Sequence, residues 1–470
     1  MRTTFSLLIL FLLTAAPVFA HSGLDFTLHK LESGRPGPTM LVVGGIQGDE
    51  PGGFNAASLI VSNYTITKGS VWVVPNLNFP SIIKCSRGLY GDMNRKFAAI
   101  DASDPEYKTI EKIKRIILDE QVDLVLNLHD GSGFYRPQHI SQWENPQRWG
   151  QSVIIDQDSI NVPHYGALED LAAKVVAEVN GHLYEPGHAY HVKNTRTREG
   201  DEEMAKTLTF FAINQGKPAF GVEASKNFPA HLRAYYHLNA LESFMRAMGI
   251  GYKRNFELAA DGVREAMDSN VAMSFFGNKI FLDLRNARAK LGYFPVKKTG
   301  GLDYVPGNPL MAVVGADKNL SVYYGNRNVT TLEPQYFDFD ESLRGVTMRI
   351  DGRGQNVPFG RIVRVKDAFS VHPGPECRVN VIGFSRGDAV DEADVDIGRK
   401  DLLERFSVDK DGGVYRVEVY RDGKFAGMVL VDFLGEQAEQ SLAGSDFAGV
   451  HAEALNSFMR ESQPGADASR

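Results

Sequence analysis

Gln47 and Glu50 lie three residues apart in the turn Gly44-Gly45-Ile46-Gln47-Gly48-Asp49-Glu50-Pro51-Gly52-Gly53, and their types and spacing suggest chemistry. In the first turn of a helix this spacing puts both side chains on one side, where an amide oxygen and a carboxylate oxygen can hold one cation. His129, at the end of the apolar run Val122 to Leu128, offers an imidazole nitrogen as a third donor. Three protein ligands leave a fourth position for water, as a catalytic zinc site does. Glu223 closes another apolar run, Phe220-Gly221-Val222-Glu223, and a carboxylate there can take a proton from water and return it to a leaving amine. The segment Cys85 to Arg95 adds Arg87, Asn94 and Arg95. An arginine fork matches a carboxylate in two hydrogen bonds, Asn94 can add a donor, and Arg87 can face a developing oxyanion. Each residue has an ordinary structural alternative. Gly-rich turns redirect backbone, Glu50 can complement a helix dipole, a strand-end His or Glu can be merely hydrogen-bonded or solvated, and arginines form surface salt bridges.

These residues need a scaffold that gathers strand ends. From residue 24 to about 250, apolar runs alternate with amphipathic ones. Strands are expected at Thr39 to Gly44, Ser70 to Asn76, Val122 to Leu128, Ser152 to Ile155, His188 to Lys193 and Ala219 to Glu223. Helices are expected at Phe54 to Ser62, Pro105 to Glu120, Gly166 to Val179, Glu202 to Asn214 and Pro229 to Met248. Continuous apolar strands separated by helices imply an α/β unit, a mixed and largely parallel sheet with helices on both faces. Ligands in such sheets gather at the carboxyl ends of the strands. Beyond residue 252 the runs shorten and Gly, Pro and Asn turns separate them, as in Lys279 to Leu284, Pro309 to Val314, Val346 to Ile350 and Val414 to Tyr420. Two β-rich barrel or sandwich modules are expected, over 253–355 and 356–440, followed by a C-terminal helix and tail over 441–470.

Residues 1–20 read as a secretory leader. Arg2 precedes the apolar run Phe5 to Ala16, and Val18-Phe19-Ala20 supplies small residues for cleavage near Ala20. The run is short for a membrane span of roughly 20 residues, so a periplasmic mature chain without a transmembrane anchor is expected. A net charge of -7 argues against general nucleic-acid binding. Two cysteines, Cys85 and Cys377, exclude a disulfide framework and a cysteine-built zinc site, leaving one bridge open.

The order of the chemical residues resembles the carboxypeptidase A-like zinc carboxypeptidases, whose pattern is His-x-x-Glu, an oxyanion Arg, Asn-Arg, a distant His and a Glu base. Here Gln47-Gly48-Asp49-Glu50, Arg87, Asn94-Arg95, His129 and Glu223 occupy those places. Glutamine in the first place departs from the general pattern and should bind zinc more weakly than histidine. With an exported chain and two trailing β modules, it resembles the peptidoglycan DL-carboxypeptidases that set cell shape in helical bacteria. The resemblance implies Zn2+ held by Gln47, Glu50 and His129, with Glu223 as base and acid and Arg87 on the oxyanion. Asn94 and Arg95 would bind the free carboxylate. It also implies removal of the terminal meso-diaminopimelate from muramyl tripeptide stems, leaving dipeptides. A tyrosine over the substrate is implied between His129 and Glu223, where Tyr165, Tyr184 and Tyr190 all fall; the run His188 to Arg196 is a candidate pocket segment. Two other readings are an N-acyl amino acid deacylase and a non-catalytic muropeptide-binding scaffold. The β modules are candidate docking sites for wall-remodelling proteins.

Overall fold

A computed structural model describes residues 24–316, 318–385 and 391–435. The expected leader and the C-terminal helix and tail expected over 441–470 lie outside the described residues. Among them, seven strands form the central sheet: β1 (His29–Glu32), β2 (Thr39–Val43), β3 (Ser70–Val74), β4 (Leu124–Gly131), β5 (Ser152–Ile155), β6 (His191–Asn194) and β7 (Ala219–Ser225). Their spatial order is β1-β3-β2-β4-β7-β5-β6. The pairs β2–β3, β2–β4, β4–β7 and β5–β6 are parallel; β1–β3 and β5–β7 are antiparallel. Every residue of β2, β4 and β7 is buried, which explains why these strands read as largely apolar runs without the alternation of a half-exposed strand. Chain order reverses at β2, with β3 on one side and β4 on the other, so the crevice beyond their carboxyl ends is a topological switch point.

The helices are α1 (Pro51–Asn63), α2 (Phe79–Ile83), α3 (Tyr107–Ile117), α4 (Leu168–Asn180), α5 (Leu208–Asn214), α6 (Ala230–Met248) and α7 (Ala260–Ser269). Helix α1 begins with Pro51, and the Gly52 amide donates to the buried carboxylate of Asp130 at 2.8 Å, which ties the helix N-terminus to the end of β4. A Cβ on Gly52 would lie 2.4 Å from that carboxylate, so only glycine permits this approach. Leu128 packs under α1, and Phe220 meets Phe244 of α6 with ring centroids 5.0 Å apart. By strand alternation His129, Gly221 and Glu223 turn to the opposite face, where α5 lies.

The continuous helix expected over Glu202 to Asn214 is divided. A 3₁₀ turn, Met204–Lys206, stops at Thr207, whose backbone is extended and whose hydroxyl caps α5 by accepting from the Phe210 amide. The first unit also runs past 252: strand Gly251–Arg254 pairs with Tyr64–Lys68, and α7 contributes Val263 and Ala266 to the same core. The boundary expected at 355 falls inside a hairpin whose strands Gly345–Ile350 and Arg353–Pro358 pair directly, so we draw the division before Gly345.

Residues from Ala272 to Phe337 form a three-stranded and a four-stranded sheet; two further four-stranded sheets between Gly345 and Asp432 enclose a core of Val346, Met348, Val379, Val417 and Val429. The first β unit is not a separate bead. Phe54 of α1 and Phe79, Ile82 and Ile83 of α2 share one apolar core with Phe275, Phe294, Met311, Val322 and Tyr324, and Phe425, Met428 and Leu430 of the last strand join it. Polar contacts reinforce the seam: Ser58 Oγ donates to Asn308 Oδ1 at 2.8 Å, Tyr324 OH to Asn55 Oδ1 at 3.2 Å, and Asn76 Nδ2 to the Pro309 carbonyl at 3.1 Å. Cys85 and Cys377 are free thiols. Among the described residues no helix is long and apolar enough to cross a membrane.

Candidate active site

The turn after β2 delivers Gln47 and Glu50, and the end of β4 delivers His129. Their donor atoms converge. His129 Nδ1 lies 3.2 Å from Gln47 Oε1 and 2.9 Å from Glu50 Oε2. All three residues are buried, with exposures of 2%, 3% and 7% for Gln47, Glu50 and His129. An amide oxygen, a carboxylate oxygen and an imidazole nitrogen facing one point are the donor chemistry of a borderline divalent cation, and zinc fits them. Among the described residues no cluster of three His, Cys, Asp or Glu could hold a metal; here the third donor is an amide.

Asp92 decides which way that amide faces. Gln47 Nε2 donates to Asp92 Oδ1 at 2.8 Å, so Oε1 is left toward His129. The other Asp92 oxygen takes Nε of Arg87 at 3.0 Å and Nη2 at 2.8 Å, while Arg87 Nη1 lies 3.9 Å from Glu50 Oε1. Burial works against the charge on Asp92, but the Gln47 amide and Arg87 hold its carboxyl below the usual range. Lys226 approaches the same Glu50 oxygen, Oε1, at 3.6 Å and also pairs with Asp49 at 2.7 Å. The other nitrogen of the His129 ring, Nε2, lies 2.8 Å from the Asn127 amide and 3.4 Å from that of Asn94.

Glu223 is the register partner of His129 across β4 and β7, which places the two side chains on the same face. Its Oε2 is buried without a hydrogen-bond partner. Burial pushes the Glu223 carboxyl up to about 8; His129 opposes this, while Glu50 and Asp130 add to it. Burial also disfavours a charged His129 imidazole, yet the facing Glu50 carboxylate raises its pKa above the ordinary value. A divalent cation among these donors would favour the ionised carboxylates and the neutral imidazole.

Gln47, Glu50, Arg87, Asn94, Arg95, His129 and Glu223 all line one cleft of about 230 Å³. Sequence reasoning did not single out Ser132, Trp149, Met204, Thr207, Thr209 and Lys226 as further walls of this cleft. Met204, Thr207 and Thr209 reach it because the helix breaks at Thr207. Asp92 had a visible signal, two residues before Asn94; the Trp149 and Lys226 loops carry none. None of the three candidate tyrosines lines the cleft. Tyr184 is exposed, Tyr190 is wholly buried, and the Tyr165 hydroxyl donates to the Met248 carbonyl at 3.4 Å. Nor does any residue of His188 to Arg196 line the cleft; Lys193 instead lies behind it, 4.4 Å from the Trp149 ring centroid.

Comparison with known proteins agrees with this geometry. The profile of a family described as the catalytic part of a carboxypeptidase controlling helical cell shape matches residues 4–268. A profile for the C-terminal domain of metallo-carboxypeptidases matches residues 339–434. No curated protein matches the chain. Among solved structures, the apo cell shape determinant protein Csd4 from Helicobacter pylori is similar at 41% identity, covering 87% of this chain and 100% of its own, with a TM-score of 0.81. Its tripeptide-bound form matches at 42% identity over 87% and 100% of the two chains, with a TM-score of 0.81. The mDAP-bound form of the same protein, described as a D,L-carboxypeptidase, matches at 42% identity over 86% and 100%, also at 0.81. The chain therefore belongs to the family of metallo-carboxypeptidases that control helical cell shape.

Proposed function

We propose that this protein is an exported, zinc-dependent peptidoglycan D,L-carboxypeptidase that removes the terminal meso-diaminopimelate from muramyl tripeptides and leaves dipeptides. The observation that carries the reading is the convergence of Gln47 Oε1, Glu50 Oε2 and His129 Nδ1 in a cleft that also holds Glu223, Arg87, Asn94 and Arg95. Csd4, similar over its whole length, has been solved with a tripeptide and with mDAP. The leader expected at residues 1–20 fits a substrate outside the cytoplasm.

Gln47, Glu50 and His129 would hold the zinc. When bound, the ion supplies Lewis acidity, lowering the pKa of water and polarising a carbonyl. Glu223, ionised beside the cation, takes the proton of the attacking water and then delivers it to the departing amine. Arg87, held in place by Asp92, presents Nη1 to the developing oxyanion. Asn94 and Arg95 bind the free α-carboxylate of the leaving residue, which restricts cleavage to the chain end. Asn94 is fixed for this by the Leu208 amide, which donates to its Oδ1 at 3.0 Å.

The test is a product assay by mass spectrometry on muramyl tri-, tetra- and pentapeptides, using mature protein stripped of metal and reloaded with zinc. Release of diaminopimelate from the tripeptide alone is expected. Release of a terminal D-Ala with the tripeptide untouched, or cleavage that ignores zinc, would refute it.

A further inference from the structure

Asn127 stands two residues before His129 on the same face of β4 and is fully buried. Its amide meets the edge of the His129 ring that points away from Gln47 and Glu50. Asn127 Nδ2 lies 2.8 Å from His129 Nε2, whereas Asn127 Oδ1, also buried, has no hydrogen-bond partner. A buried amide oxygen rarely stays unpaired without a reason.

Two amides crowd the same ring nitrogen, and only one of them is free to turn. Asn94 Nδ2 approaches Nε2 to 3.4 Å, but its Oδ1 is held by the Leu208 amide, so turning it over would break that bond. No such bond fixes Asn127.

A neutral imidazole has one proton to place. On Nδ1 it faces Glu50 Oε2 at 2.9 Å, and Nε2 is left as an acceptor that the Asn127 amide nitrogen serves. A cation drawn to the converging donors needs the Nδ1 lone pair. The proton then belongs on Nε2, which requires an acceptor. Turning the Asn127 amide over exchanges Nδ2 for Oδ1 in nearly the same place, so the oxygen can accept from Nε2 while the nitrogen takes the position the unpaired oxygen held.

We propose that Asn127 is a positioning residue of the metal site whose amide turns over with occupancy, donating to His129 when no metal is held and accepting from it when zinc is bound. This rests on the zinc reading above. Asn127 thereby fixes the tautomer in which Nδ1 is a ligand, and it touches neither substrate nor metal.

The test uses full-length mature protein stripped of metal, with zinc alone as the probe. Competition against a chromophoric chelator gives the affinity of wild type, Asn127→Leu, which removes the acceptor at similar size, and Asn127→Asp, which supplies a permanent one. Asn127→Leu should weaken zinc binding by about 10- to 100-fold, and Asn127→Asp should bind at least as tightly as wild type. Long-range proton–nitrogen NMR of histidine-labelled wild type needs no variant. Recorded at a pH where the metal-free ring is neutral, it should place the His129 proton on Nδ1 without zinc and on Nε2 with it. Equal zinc affinity in all three proteins, equal loss in both variants, or a ring proton that stays on one nitrogen would overturn the proposal. A wild type that binds no zinc would instead overturn the metal reading beneath it.

Discussion

Adding one methyl group at Gly131 should slow turnover without emptying the metal site. A Cβ there would lie 2.5 Å from the Gly150 amide nitrogen, 2.6 Å from Cβ of Trp149 and 2.7 Å from Oε2 of Glu223. Ordinary contact begins at 3.4 Å, so the Glu223 carboxylate must retreat by about 0.7 Å and the segment carrying Trp149 by a similar distance. Displacing a reacting group by about 1 Å can cost roughly 100-fold in rate, and crowding a packed wall costs about 1–3 kcal/mol of stability. Gly131→Ala is therefore expected to lower kcat by about 10- to 100-fold and to raise KM through the moved Trp149. Zinc affinity should change little, because none of the atoms the methyl meets first belongs to Gln47, Glu50 or His129. The assay is diaminopimelate release under zinc saturation, with affinity measured separately by chelator competition. Wild-type kcat in the variant, or a loss of rate wholly explained by lost zinc, would refute the placement of Glu223 against this wall.

Further outcomes follow from the same geometry. Glu223→Gln should keep zinc and lose turnover by about 10²- to 10⁴-fold. In metal-free wild type the raised Glu223 pKa contributes stability that is full below the ordinary value of 4.5 and is lost as pH rises toward about 8. Melting curves of the two proteins should therefore diverge over that range, with Glu223→Gln the more stable at the alkaline end; parallel curves would contradict the buried setting. Asp92→Ala removes the acceptor that orients Gln47 and frees Arg87, so both zinc affinity and kcat should fall, the affinity by about 10- to 100-fold. Gln47→His should keep or raise zinc affinity, and a fall would argue that Gln47 is not a ligand. Asn308→Ala leaves Ser58 Oγ and the Leu310 amide without their acceptor at a cost of about 1–3 kcal/mol. Because residues 24–337 share packed cores, calorimetry should show the sheet and the first β unit melting together, and a separate early transition would count against that.

The sheet was readable because β2, β4 and β7 are buried on both faces and so are mostly apolar rather than alternating. Ser152–Ile155 matches its expected bounds for the same reason. Gln47 and Glu50 could be picked out in the Gly-rich turn after β2, and His129 and Glu223 near the carboxyl ends of β4 and β7, where polar residues follow an apolar run. What escaped was non-local. Thr207 reads as one residue of an amphipathic helix, and only its capping hydroxyl reveals that the helix restarts there. Trp149 and Lys226 come from loops without periodicity, brought to the cleft by the antiparallel pairing of β5 with β7 and by the turn after β7. The hairpin across residue 355 hid a continuous unit because its turn residues look like a linker.

The seam between α1, α2 and the first β unit also sets an order in time. As the chain emerges from its N-terminus, the sheet can assemble once residue 225 is out. Phe54, Phe79 and Ile82 nevertheless lack their core partners Met311, Val322 and Tyr324 until the strands that carry them arrive. Phe54, Phe79 and Ile82 lie on the helices that flank the Gln47–Glu50 turn. The turn that carries two of the three proposed metal donors thus gains its outer support only after some 320 residues have followed one another out, and a chain cut after the last sheet strand would carry every proposed chemical group of the site on an unsupported edge.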